Sequence, residues 1–122
     1  MLSQSDNELL TRVGPGTPMG ELMRHYWIPG VLSSEVAPNG TPHRTRLLGE
    51  DLLVMRFSSG QTAAMTPSCP HRGASLFFGR NEEEGIRCVY HGWKFDEKGN
   101  CVDMPSEPPE SNFKQKVSIK TY

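Results

Sequence analysis

Two short stretches hold the residues whose types and spacing can do metal chemistry. The first is Cys69-Pro70-His71-Arg72-Gly73. The second is Cys88-Val89-Tyr90-His91-Gly92-Trp93, with sixteen residues between His71 and Cys88. Each stretch offers one thiolate and one imidazole, and together they make a four-ligand metal set. Gly73 and Gly92 follow the two histidines closely. Glycine lets the backbone turn sharply and lets N–H groups approach a bound ion or sulfide.

Spacing separates the metal chemistries. Structural zinc sites usually pair two cysteines on one loop with two histidines, or two more cysteines, on the other. Here each loop mixes its donors, Cys-x-His first and Cys-x-x-His second. A Rieske 2Fe–2S centre uses this mixed division, because one iron takes two cysteines and the other two histidines. Each loop then gives its sulfur, Cys69 or Cys88, to one iron and its nitrogen, His71 or His91, to the other. A zinc module remains the alternative metal reading, and two buried thiols beside two satisfied histidines the bland one.

The same residues carry a family resemblance. Cys-Pro-His-Arg-Gly and Cys-Val-Tyr-His-Gly-Trp-Lys-Phe resemble the cluster loops of ring-hydroxylating (Rieske non-haem iron) oxygenase α subunits. Residues 7–36, from Asn-Glu-Leu-Leu-Thr-Arg-Val-Gly-Pro-Gly onward, resemble the phthalate dioxygenase-like branch. The resemblance implies ligation through the histidine Nδ1 atoms, with the opposite nitrogens facing solvent or an electron acceptor. It also implies that the loop around Pro105 covers the cluster. Rieske proteins of respiratory complexes carry an extra cysteine in each loop, joined as a disulfide. Gly73-Ala74 and Val89-Tyr90 stand in those places here, which points to the oxygenase or ferredoxin branch.

The elements that must position these loops read as short strands. Ten prolines and twelve glycines in 122 residues mean many turns. Strands are expected at Val31–Val36, Arg44–Leu48, Leu52–Phe57, Gln61–Thr66, Ile86–Val89 and Phe113–Ile119, with a hairpin of Trp93–Phe95 and Asn100–Val102. Asn81-Glu82-Glu83-Glu84-Gly85 reads as a turn. Two short helices come first: one opened by a Ser5–Glu8 capping box, one by Thr17 as N-cap with Pro18 at N1. On the second, Met19, Leu22, Met23 and Tyr26 share one face. The predicted fold is mainly β: an antiparallel β-sandwich with a small cluster-binding subdomain and short N-terminal helices. Residues 1–30 form the helical segment and 31–122 the 2Fe–2S domain, truncated at its C-terminus relative to the family.

Thirteen basic against fourteen acidic residues give a net charge of −1, which argues against nucleic acid or an anionic membrane as partner. No apolar run reaches membrane-spanning length and no secretory signal is visible. With two of the three cysteines used as ligands, a reducing compartment, the cytoplasm, is expected.

Around the ligands, Gly73 and Gly92 read as turn formers, Arg72 as a flanking charge able to steer an acidic partner, and Trp93 as a shield supporting His91. Cys101 reads as a core residue, and the Glu82–Glu84 run as a solvated turn. A mononuclear non-haem iron needs two further histidines and a carboxylate. Only His25 and His43 remain, without a companion acid. The expected function is electron transfer from a reductase or ferredoxin to a mononuclear iron outside this chain, in the same or a neighbouring subunit of a trimer. A free-standing Rieske ferredoxin is the alternative, and a zinc-binding interaction module the third.

Overall fold

The computed structural model describes residues 1–122. Alternation along the chain builds its first sheet. Leu53, Met55 and Phe57 point to one side of their strand and are fully buried, as are Ala63 and Met65 on the next. Three antiparallel strands, β1 (His43–Leu47), β2 (Glu50–Arg56) and β3 (Thr62–Met65), form this sheet in that order. Leu53 pairs with Met65 and Met55 with Ala63, so one register sets the whole inward face.

A second antiparallel sheet holds β4 (Arg80–Glu82), β5 (Gly85–Arg87), β6 (Lys94–Phe95) and β7 (Cys101–Asp103). Its buried Ile86, Phe95 and Cys101 join the inward residues of the first sheet, with Cys69, Leu76, Cys88, Trp93, Met104 and Ile119, in one continuous core. The antiparallel sandwich is therefore as expected. The two cysteines of the candidate site belong to the core itself, which ties the loops to the packing of both sheets.

Several local expectations need correction. The first helix, α1 (Gln4–Thr11), is capped by Ser3, whose hydroxyl accepts from the Asp6 N–H at 3.1 Å. Ser5 lies inside it. α2 (Pro18–Met23) starts on the Thr17 cap as expected, but ends before Tyr26. Leu22 and Tyr26 are exposed rather than packed. Val31–Val36 is not a strand and contains a single 3-10 turn, Ser33–Glu35. Asn81–Gly85 is not a simple turn, because β4 and β5 pair across Glu83-Glu84, both at positive φ. Their exchanged pairs, Asn81 with Ile86 and Glu82 with Gly85, outweigh the polar composition that hid the strand. Phe113–Ile119 opens with a 3-10 turn, Phe113–Lys116, and pairs only at isolated bridges such as Ser118 with Asn100.

No helix is long and apolar enough to cross a membrane. The outer face of the first sheet carries an open groove of about 760 Å³, whose walls include Trp27, Ile28, Leu47, Val54 and Tyr122.

Candidate metal centre

The two candidate loops repeat one backbone pattern. In the first, Gly73 N–H donates to the Cys69 carbonyl at 2.9 Å and Cys69 N–H to the Ala74 carbonyl at 2.8 Å. In the second, Gly92 N–H donates to Cys88 O at 3.0 Å and Cys88 N–H to Trp93 O at 2.8 Å. Each turn closes on a glycine in the left-handed region, Gly73 at φ 70° and Gly92 at φ 77°. A side chain there would strain the backbone, which is why glycine stands four residues after each cysteine.

These paired turns set the predicted donors in two pairs, one of sulfurs and one of imidazoles. Cys69 and Cys88 share the buried core, and Cys88 is among the groups that raise the Cys69 thiol pKa. The imidazoles of His71 and His91 meet edge to face, with ring centroids 4.5 Å apart. Both cysteines are buried, His71 is exposed and His91 is half-buried. The arrangement is a sulfur pair on the core side and a nitrogen pair toward the surface. No three His, Cys, Asp or Glu side chains converge on one point as a mononuclear ion requires.

Charge and burial agree with metal binding. Desolvation, and with it the neighbouring Cys88, pushes the Cys69 thiol up to about 11, against the His71 backbone N–H that bonds to its sulfur. A buried thiol whose ionisation is opposed by burial and a neighbouring thiol is suited to a cation, whose charge displaces its proton. Desolvation, then His91 and Arg72, lowers the His71 pKa, which favours the neutral imidazole a metal needs. Buried polar atoms are nearly always paired. His91 Nδ1 is buried with no hydrogen-bond partner, a condition shared only with Asn81 Oδ1 among buried side-chain nitrogens and oxygens. An iron at that nitrogen would satisfy it. The donors present fit a Rieske cluster.

The surrounding residues differ in part from expectation. Trp93 does not support His91; it crosses to the other loop and stacks on His71, with centroids 4.5 Å apart and planes 12° from parallel. Its other neighbour is Phe113, edge-on at 6.1 Å. His91 is covered instead by Tyr90, at 3.9 Å. Arg72 is exposed, and Pro105 lies against Gly92, where an added Cβ would stand 3.1 Å from Pro105 Cγ. Cys101 is a core thiol whose Sγ donates to the Asp103 carbonyl at 3.5 Å. Composition also passed over Arg87, which reaches Gly92 O and Asp103 from the residue before Cys88. An arginine ending a strand against a ligand cysteine was the available signal.

Comparison with known proteins agrees with this geometry. The 3-chlorobenzoate-3,4-dioxygenase oxygenase subunit of Comamonas testosteroni is 57% identical over 122 residues, all of this chain and 28% of that protein. The phthalate 4,5-dioxygenase oxygenase subunit of Pseudomonas putida is 52% identical over 123 residues, again 100% of this chain and 28% of that protein. The chain thus spans little more than a quarter of the length of these relatives. Among solved structures, the terminal oxygenase of carbazole 1,9a-dioxygenase from Novosphingobium sp. KA1 superposes with a TM-score of 0.68 at 34% identity, over 80% of this chain and 26% of that one. The family model described as Rieske [2Fe-2S] domain matches residues 26–122, around both ligand loops, and the chain belongs to that family.

Proposed function

We propose that this chain is the electron-transfer part of an aromatic-ring-hydroxylating oxygenase, with Cys69 and Cys88 holding one iron of its 2Fe–2S cluster and His71 and His91 the other. The unpartnered, buried His91 Nδ1 beside the second imidazole carries the reading. Bound there, the cluster supplies a one-electron carrier whose two neutral ligands raise its potential above that of an all-cysteine centre. The chain's own part is to bury the sulfur pair, to hold the imidazoles at the surface, and to exclude water with Trp93, Tyr90 and the Pro105 loop.

Electrons would come from a reductase or ferredoxin and leave for a mononuclear iron outside residues 1–122, in the same or a neighbouring subunit of a trimer. Two observations support an oxygenase over a free-standing ferredoxin. Similarity to the oxygenase subunits runs over the whole chain, including the helices ahead of residue 26. Trp27 is 100% exposed beside the apolar groove, a surface that suits burial within a larger body. Residues 1–30 then serve as a helical lead-in and 31–122 as the cluster domain. The one cysteine outside the proposed ligand set, Cys101, is an unpaired thiol, which supports a reducing compartment, the cytoplasm.

Anaerobic purification tests the reading. The protein should be red-brown, carry about two irons per chain and give a rhombic paramagnetic signal on reduction. Cys88→Ser should lose the iron. Stoichiometric zinc without iron would overturn the assignment.

A further inference from the structure

Arg87 ends β5 one residue before Cys88, and its side chain is only 16% exposed. Its Nη1 donates to the Gly92 carbonyl and to Asp103 Oδ2, each at 2.7 Å, while its Nε donates to Glu82 Oε1. The three acceptors lie on β4, on β7 and in the second ligand loop. An exposed ion pair contributes little. This guanidinium is largely buried, and its fork is engaged by acceptors on three separate pieces of chain.

Two of those acceptors frame the candidate centre. The Gly92 carbonyl is one peptide beyond His91, and the loop's own closure uses Gly92 N–H and Trp93 O but leaves Gly92 O for Arg87. Asp103 leads through buried Met104 to Pro105, whose ring abuts Gly92. One side chain thus ties the loop carrying His91 to the loop that backs it. At the first loop an added Cβ on Gly73 would meet nothing within 4 Å.

We propose that Arg87 is a positioning residue, locking the second ligand loop against the Pro105 loop through Gly92 O and Asp103 and so fixing the orientation of the His91 imidazole. The inference rests on His91 being a cluster ligand. It concerns geometry rather than charge, because a lysine at 87 would keep the charge while its single ammonium could not reproduce the fork.

The experiment compares iron-loaded wild type with Arg87→Lys, Arg87→Gln, Asp103→Asn and Glu82→Gln. Readouts are the reduced-state paramagnetic spectrum, the midpoint potential and amide hydrogen exchange. Arg87→Lys should keep its iron, alter the g-anisotropy, shift the potential, and speed exchange at residues 88–93 and 104–106 by about tenfold. Glu82→Gln, which weakens only the acceptor on β4 and leaves Gly92 O and Asp103 in place, should shift these readouts less than Arg87→Lys. A wild-type spectrum and wild-type protection in Arg87→Lys would overturn the proposal, as would full rescue by lysine of a defect seen in Arg87→Gln. Should both Arg87 variants fail to fold, Asp103→Asn decides: faster exchange at 104–106 and 88–93 supports the clamp, and unchanged exchange refutes it. Exchange needs no cluster. A wild type free of 2Fe–2S would therefore sink the functional reading while the exchange comparison still judged the clamp.

Discussion

The indole of Trp93 lies flat on the imidazole of His71, joining a residue of the second loop to a candidate ligand on the first. The indole is 8% exposed and belongs to the shared core, so it fixes the spacing of the loops from inside. Trp93→Ala should destabilise the protein by about 3–5 kcal/mol, the range for large aromatic truncation in a core. Trp93→Phe should recover part of that loss. Denaturant unfolding of the iron-loaded protein measures both, and a loss below about 1 kcal/mol for alanine would mean that the stack holds little.

Gly73 and Gly92 share a left-handed backbone but not a neighbourhood. Alanine at either should cost about 1–2 kcal/mol of backbone strain. At Gly73 the new methyl meets open space, whereas at Gly92 it meets Pro105 Cγ at 3.1 Å. Pro105 cannot swing aside as a flexible side chain would, and buried Met104 anchors it. Gly92→Ala should therefore lower the melting temperature further and release iron faster than Gly73→Ala. Equal melting temperatures and equal iron release would show that the Pro105 loop yields.

Glu50 ties the start of β2 to both ends of the chain. It accepts hydrogen bonds from Arg24 after α2 and from Lys120 and Tyr122 near the C-terminus. The Tyr122 hydroxyl first, then Arg24, holds its carboxyl at about 2, below the ordinary value of 4.5. A depressed carboxylate stabilises the fold fully above its unfolded pKa, and the contribution disappears as pH falls through the folded one. Glu50→Gln should be less stable than wild type at pH 7, with the difference shrinking between pH 4.5 and 2. Urea unfolding across that window checks the sign.

These 122 residues alone should hydroxylate no aromatic acid. His25 and His43 are the only histidines outside the ligand loops, and no three-donor group forms around either. A facial iron triad needs two histidines and a carboxylate together. The chain should still be reduced by dithionite. Product analysis after single-turnover reduction in oxygen should find no hydroxylated product, and hydroxylation by a homogeneous sample would overturn this.

The candidate donors could be picked out from residue order, because donor type and the glycine four residues after each cysteine are properties of a few consecutive residues. Helix α2 was legible for the same reason, Thr17 and Pro18 being a local cap. So were β1 to β3, whose inward alternation is written into Leu53, Met55 and Phe57. What sequence order left undecided was every relation set by distant partners. Strand β4 exists because Arg80–Glu82 pairs with β5, against its polar composition. Val31–Val36 has strand-forming residues but no neighbouring strand, and it does not become one. Trp93 stacks on His71 rather than on His91, and Arg87 meets Gly92 and Asp103, because of how the packed sheets place distant residues. Short-range turn chemistry is encoded locally, while stacking, pairing and clamping depend on which surfaces the packed core brings face to face.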